Sequence, residues 1–462
     1  MRVSALQKRD NLNRRFLHNF LSAPCTRWAL ASSLPASAIN AVAASKVMEL
    51  RGSYDVVVVG GGVSGTAAAV AAARCGARVL LVERYGFLGG TATASSVCVL
   101  MNFYLRGQPL VGGVLLEVIG RLRKLGGYDD ETRVFDPELM KVVLEELALE
   151  DGVELLYHAT FVDVVRRGRD VRGVVLRGKG GLQLALSEVA VDATGDGDVA
   201  VAAGCPFEKG RSADGLTQPA TLMFVLANVG EDALPPLREV NRAFAEARRS
   251  GELSIPREGL IWFKGLGRGL LLFNATRITK IDGTSSADLT RAEVEGRRQV
   301  MAVVSWLRRR FPEAFRDAVV IRSGPQVGIR ETRRVIGEYV LTEEDVLSAR
   351  KFPDAVCRAC YPVDIHSPLG EGTVLKYPPP GDYYEIPYRC LVPLGAERLL
   401  VTGRCISATH EALAATRIIP TCFGLGQAAG VAAALCAEMR ASPRQLSASL
   451  LREKLREQGA VV

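Results

Sequence analysis

The chain of 462 residues holds only four histidines, His18, His158, His366 and His410, so acid–base chemistry that depends on imidazole has few places to reside. Long apolar runs are missing too. No stretch of about 18 residues is consistently apolar, and no transmembrane segment is expected. The ten cysteines are scattered, with Cys357-Arg358-Ala359-Cys360 as the single C-x-x-C pair. A structural zinc site usually wants a second such pair and an iron–sulfur cluster a tighter run, so no metal is expected. Cys357 and Cys360 read as buried or incidental thiols, with a redox pair as the alternative. No internal repeat is present.

The formal charge of +8 would point to a nucleic-acid partner if it were spread over the fold. It is concentrated at the start instead. Residues 1–47 carry seven basic side chains (Arg2, Lys8, Arg9, Arg14, Arg15, Arg27, Lys46) against Asp10 alone, a surplus of six that leaves +2 for the rest. The basicity belongs to a leader, and nucleic acid is not expected. Asn13-Arg14-Arg15-Phe16-Leu17 resembles a twin-arginine export signal, followed by an uncharged stretch with small-residue cleavage points such as Ala36-Ser37-Ala38. Pro24 and Arg27 interrupt that pattern, and Met48 stands just before the first expected strand. Residues 1–47 therefore read equally as a mis-assigned start or a disordered extension. The first reading implies an exported or periplasmic protein, the second a cytoplasmic one.

The rest of the chain is long enough for two or three domains. Residues 54–59 form a β-branched run without alternation, as in a strand buried on both faces of a parallel sheet. Gly60-Gly61-Gly62-Val63-Ser64-Gly65 turns it into an Ala-rich helix from Thr66 to about Cys75, which Gly76 closes, and residues 78–83 form a second buried strand. Asp136 with Pro137 starts a helix ending near Glu150, where Phe135 can staple onto Met140. Strands are expected at 153–158, 161–165, 171–176, 182–186 and 189–192, as a small meander leading back into the parallel sheet. Residues 216–382 mix strands near 220–225 and 269–273 with a helix over 286–310 and a helix N-terminus at Thr342. A Pro-rich connector at 376–381 precedes a strand at 398–402 and a last helix opened by Gly424-Leu425-Gly426-Gln427.

Gly60-x-Gly62-x-x-Gly65 has a mechanism attached. The first glycine permits the turn, the second lets the backbone approach a pyrophosphate, and the third allows close helix–strand packing. The phosphates then meet the free N–H groups and dipole of the helix N-terminus. Glu83 ends the second strand, where an acid binds ribose hydroxyls. These features define a dinucleotide site without separating FAD from NAD. The segment Asp192-Ala193-Thr194-Gly195-Asp196-Gly197-Asp198 adds a second small-residue turn, whose spacing is not that of an EF-hand calcium loop. No second strand–glycine–helix unit with a trailing acid follows, so a separate NAD domain is not expected.

Together with Gly89-Gly90-Thr91, Phe135-Asp136-Pro137-Glu138, Gly328-Ile329-Arg330-Glu331-Thr332-Arg333-Arg334, Tyr361-Pro362-Val363-Asp364-Ile365-His366 and the stretch from Gly403 to Gln427, these motifs make the chain resemble the broad FAD-dependent oxidoreductase family. It is similar to two-dinucleotide-fold flavoproteins related to the flavin subunit of heterodisulfide reductase, without their iron–sulfur cysteines. The resemblance implies FAD as cofactor and contacts from Gly60, Gly62, Val63, Ser64, Gly65, Glu83, Arg84, Gly89, Gly90, Thr91, Val162, Thr194, Gly195, Asp196, Asp198, Gly403, Arg404, Gly426 and Gln427. Gly403-Arg404 stands where flavin monooxygenases carry Gly-Asp, which argues against that subgroup.

The fold class implied is α/β: a Rossmann-type FAD-binding domain, glutathione-reductase-like, split by an inserted α+β substrate domain. The expected divisions are a leader at 1–47, the FAD-binding domain at 48–215 and 383–445, the inserted cap at 216–382 and a helical tail at 446–462. The active site is expected at the junction. His366 and His410 are the candidates for the base that takes a proton as hydride leaves for the flavin, while His158 reads as structural. Arg330, Arg333, Arg334 and Arg417 could orient an anionic substrate or stabilise reduced flavin, with Arg330 and Arg417 preferred. The expected activity is two-electron oxidation or reduction of a small polar organic molecule. The alternative is a flavin-bearing electron-transfer subunit or a reductase served by a redox partner protein.

Overall fold

The computed structural model describes residues 48–462, so the leader, with its export motif and His18, lies outside the described residues. Strand β1 (Glu49–Val59) runs into helix α1 (Val63–Arg74) and then β2 (Val79–Val82). The helix starts three residues before the expected Thr66, because Gly62 already acts as its N-cap. Pairing is parallel and in register, with Val57 opposite Leu80. Val56, Val57, Val58, Leu80 and Leu81 are all fully buried, which is why this strand pair reads as uninterrupted apolar sequence.

Helix α2 (Pro137–Glu150) has the expected cap, Asp136 accepting from the N–H groups of Glu138 and Leu139, and both Phe135 and Met140 are fully buried. Strand β3 (Glu154–Leu156) pairs parallel with β2 and so extends the parallel sheet, where a meander strand was expected over 153–158. The antiparallel part is β4 (Thr160–Arg167), β5 (Asp170–Gly178) and β6 (Gly181–Asp192). The two strands expected at 182–186 and 189–192 are one, since Ser187 keeps its place opposite Tyr54 and the pairing with β1 runs on through it. Strand β6 is therefore shared: its first half pairs antiparallel with β5, and from Gln183 to Asp192 it pairs parallel with β1.

A second, four-stranded antiparallel sheet follows: β7 (Phe224–Ala227), β8 (Ile261–Phe263), β9 (Leu271–Asn274) and β10 (Val319–Ser323), in the order β8-β9-β7-β10. Helices α3 (Leu237–Arg249) and α4 (Ser286–Arg310) pack on it, with Phe244 edge-on to Trp306 at 5.6 Å and Phe224 stacked on Phe273 at 5.0 Å. This sheet has its own core, drawn from Ala220 to Val327. Leu341, Val346, Phe352, Val356 and Val363, which lie within the expected cap at 216–382, share a core with the buried residues of the parallel strands.

The chain then adds a hairpin, β11 (Val363–His366) with β12 (Thr373–Lys376), and strand β13 (Leu399–Val401), which pairs with the end of β6. Helices α5 (His410–Thr416), α6 (Ile419–Met439) and α7 (Ala448–Glu457) complete it. Helix α6 begins at Ile419, with Pro420 in its first turn, and not at Gly424. The glycines inside it serve packing. A Cβ on Gly426 would overlap the carbonyl of Ser64, and one on Gly430 that of Ala68, so α6 lies backbone-to-backbone on α1. By length and composition α6 could span a membrane, but 94% of its apolar window is buried inside the fold. That burial explains its apolarity as a core helix.

Candidate functional site

A cavity of about 550 Å³ lies between the C-terminal ends of the parallel strands and the second sheet. The glycine loop forms one wall. Gly60 takes φ +102°, a left-handed-side conformation suited to glycine, and a Cβ there would sit 2.5 Å from the carbonyl oxygen of Ala193. A Cβ on Gly65 would overlap the carbonyl of Gly60. Gly62 differs from both: a Cβ there would meet only Gly90 Cα, at 3.9 Å, so its front is open to the cavity. Helix α1 has no side-chain cap and no acid in its first turn. Its N-terminal N–H groups, at Val63 and Ser64, lie on the cavity wall with the helix dipole behind them.

Glu83 also lines this wall. It is buried, and its carboxylate accepts from the N–H of Gly61 at 2.7 Å and of Tyr85 at 2.9 Å. Burial raises its pKa, and those two bonds act against the rise. Arg84 closes over the same region, donating to Gln326 Oε1 of the second sheet's domain at 2.9 Å. Gly89, Gly90 and Thr91 line the next part of the wall.

Opposite them stands the turn after β6. Asp192 is fully buried and holds it, accepting from Thr194 N, Thr194 Oγ1 and Ala200 N. Burial moves its pKa up to about 6. Thr194, Gly195, Asp196 and Asp198 face the cavity together with Gly403 and Arg404. Arg404 ties three segments: Nε donates to Gly195 O at 2.9 Å, and the other nitrogens pair with Asp196 and with the carbonyl of Ile329. Arg333 pairs with Asp198 at 2.7 Å.

The remaining wall carries the charge. Arg330 Nη1 donates to Pro219 O and Thr221 Oγ1, both at 2.7 Å. Arg417 Nη2 donates to Gln218 Oε1 at 3.1 Å and Asp364 O at 3.2 Å. Tyr361 donates to Asp364 at 2.9 Å, and Arg277, from β9's trailing loop, reaches His366 Nδ1 at 3.0 Å. A guanidinium can only donate, so Nδ1 accepts and the ring proton sits on Nε2, 3.5 Å from Asp364 Oδ1. Burial, then Arg330, lowers the His366 pKa to about 3. The partnership with His366 and the nearby Arg417 outweigh burial at Asp364, holding its carboxyl well below the usual range. Burial, then Arg417 and Arg257, lowers the Arg330 pKa to about 9.

A neutral buried histidine makes stability depend on pH. The folded state resists protonation while the unfolded chain takes up a proton from about pH 6.5 downward, so stability is lost as pH falls from there toward 3. Asp364 adds its own loss only below about pH 4. We expect His366→Gln, which keeps an acceptor for Arg277, to change melting little at pH 8 and to flatten the decline between pH 6.5 and 4. Parallel melting-temperature curves for variant and parent would refute this.

Several residues singled out from sequence are not on the cavity wall, Arg333 on Asp198 and the buried Arg334 on Glu331 among them. Gly65 and Gly426 sit behind it at backbone crossings, and Gln427 bonds Val114 N and Gln458 O. The Val162 side chain is half exposed on β4, while its neighbours Ala159, Thr160 and Phe161 do line the cavity. His410 is buried behind the wall with Nδ1 2.9 Å from Glu331, part of a network with Arg334, while Nε2 has no partner among the described residues. His158 is exposed in a loop with φ +53°, outside the strand assigned to it. Cys357 is buried and bonds the carbonyl of Thr421; Cys360 reaches those of Asn102 and Tyr104. Sequence reasoning missed Arg277, Arg257 and Gln218. The one available signal was a lone arginine after the apolar run 270–276.

Parallel sheet, glycine loop, strand-end acid and enclosed cavity together define a dinucleotide-binding oxidoreductase fold. Residues 55–455 match the family described as FAD dependent oxidoreductase, and the chain belongs to it; FAD is its cofactor. The open face of Gly62, the uncapped α1 N-terminus and the anchored Glu83 carboxylate fit that group. A digeranylgeranylglycerophospholipid reductase of Methanocaldococcus jannaschii is 29% identical over 174 residues, 35% of this chain and 43% of that protein. The match thus spans less than half the length of that relative. Among solved structures, a geranylgeranyl bacteriochlorophyll reductase-like protein of Thermoplasma acidophilum is 15% identical, covering 89% of this chain and 85% of its own at TM-score 0.49. A myxobacterial chondrochloren halogenase is 15% identical, covering 88% and 79% at TM-score 0.47.

Proposed function

We propose that this FAD-dependent enzyme carries out two-electron, hydride-type oxidation or reduction of a small polar organic substrate. The observation that carries the reading is that one cavity is lined both by the glycine loop and by Tyr361, Asp364, His366, Arg330 and Arg417. In this reading Gly60, Gly62, Val63 and Ser64 bind the cofactor's phosphates, Glu83 its ribose hydroxyls, and Gly403 with the turn at Thr194–Asp198 its central chain. Bound FAD supplies the two-electron acceptor or donor.

The chain's own groups then act on substrate. Tyr361 and His366 Nε2–H both point at Asp364, so this trio can donate to, or accept from, a hydroxyl or amine on the substrate. His410 works at a distance: through Glu331, which also accepts from Gln218 N at 3.1 Å, it holds the segment that presents Arg330. Phe263 and Asn274 of the second sheet, with Gln326, line the side of the cavity opposite the glycine loop.

Anaerobic titration of the purified yellow protein with hydroxy acids, amino acids and sugars tests the reading. Bleaching by one of these alone, with colour returning in air, is the expected result. Bleaching only in the presence of a redox partner protein would favour the electron-transfer subunit instead. A colourless protein whose melting temperature FAD does not raise would end both readings.

A further inference from the structure

We propose that Arg330 and Arg417 form a clamp for a carboxylate group of the substrate, an inference that rests on the oxidoreductase reading above. Arg330 and Arg417 line this wall, and the guanidinium groups of Arg257 and Arg277 lie within electrostatic reach of Arg330 without lining the cavity. The latter two are already committed. Arg257 donates to Gly259 O at 2.7 Å and Thr276 O at 3.3 Å. Arg277 donates to Gly370 O at 2.6 Å and His366, and pairs with Glu258 at 3.0 Å.

Arg330 and Arg417 each commit one terminal nitrogen. Arg330 spends Nη1 on Pro219 and Thr221, which leaves its Nε and Nη2 without a protein partner among the described residues. That edge is the fork that meets both oxygens of a carboxylate. Arg417 spends Nη2, leaving Nη1, and its buried Nε has no partner among the described residues. Both residues line the cavity.

Charge agrees with geometry. The acid on this wall is Asp364, beside His366; Glu258 pairs with Arg277 and does not line the cavity. At this end of the cavity Arg330 and Arg417 meet the single carboxylate of Asp364, a surplus of positive charge that an anionic ligand would relieve. On the rest of the lining Glu83 is held by Gly61 and Tyr85, Asp196 by Arg404, Asp198 by Arg333 and Glu293 by Arg297. The cofactor's phosphates do not fill that role, since the uncapped α1 N-terminus serves them on a different wall. A single carboxylate suits the site better than a phosphate dianion, because the Asp364 carboxylate stands on the same wall and repels a second charge.

The test uses holo-protein and simple probes: acetate, benzoate and succinate, each against its primary amide. Binding is followed by the change in flavin absorbance and by melting temperature. The carboxylates should bind about tenfold or more tightly than the amides. Arg330→Gln and Arg417→Gln should each weaken carboxylate binding by about tenfold or more and change FAD affinity by less than about threefold, with Arg330→Lys recovering part of the loss. Amides that bind as well as carboxylates would overturn the clamp, as would variants that lose FAD and keep carboxylate affinity. Melting temperatures of the FAD-free proteins separate misfolding from lost binding; if Arg330→Gln misfolds, Arg417→Gln and Arg330→Lys carry the test. Holo-protein that binds none of the acids sinks the clamp and leaves the oxidoreductase reading standing. If no FAD is held, the melting-temperature response to carboxylate still decides the clamp.

Discussion

Gly62→Ala should fold as the parent does and lose FAD affinity by about tenfold to a hundredfold, while Gly65→Ala should be damaged in the fold itself. The two positions belong to one motif but meet different surroundings. Gly62 has φ −63° and ψ 172°, which alanine adopts freely, and its added methyl would meet nothing closer than Gly90 Cα at 3.9 Å. The methyl would project into the cavity, where the cofactor's phosphates approach the backbone. At Gly65 the methyl would overlap Gly60 O and come within 2.9 Å of Ala193 Cβ, which belong to the two turns that follow β1 and β6. Overpacking of that kind costs about 1–3 kcal/mol, and more where backbone must shift. Melting of FAD-free protein and quenching of flavin fluorescence on binding separate the effects. A Gly62→Ala protein with parental FAD affinity would remove the pyrophosphate assignment.

Glu331→Ala should cost about 3–5 kcal/mol of stability with FAD present or absent. The Glu331 side chain is fully buried and lies between Arg334 and His410, whose side chains are 3% and 4% exposed. It also accepts from Gln218 N. Removing it strands the Arg334 charge in a place water does not reach, where the carbonyls of Ala408 and Gly210 and the outlying Glu208 offset only part of the cost. Glu331→Gln should cost less, because an amide oxygen can still accept from Gln218 N and Arg334. Urea unfolding at pH 8 measures both. If Glu331→Ala costs less than Glu331→Gln, the buried pair is not what holds this segment.

What the sequence disclosed followed from how local each signal is. The β1–α1–β2 unit was readable because buried parallel strands are apolar throughout and the glycine spacing is set by one tight turn. The Asp136 and Thr342 helix starts were readable because caps are decided within four residues. The start of α6 was misread because a glycine inside a helix looks, in sequence, like one at its end. Gly426 and Gly430 are explained by α1, more than 350 residues earlier in the chain. Among the site residues, His366 and Arg330 were visible inside motifs, whereas Arg277 and Gln218 became relevant only through folding. The assignment of His410 as a candidate base failed to reach the cavity for the same reason: adjacency to a functional motif says nothing about which way a buried ring faces.

The cavity wall runs from Val59 to Cys422, with contributions near residues 90, 160, 195, 221, 328, 364 and 403 in between. No early fragment of the chain can therefore own a complete site. The glycine loop emerges first from the ribosome, yet the segment at Ile418, Ile419 and Cys422 that finishes the wall is made last. A complete FAD site thus belongs to the finished protein. Once captured, the cofactor acts as an internal tie between distant parts of the chain, so its loss should loosen the parallel and antiparallel sheets from each other before either melts.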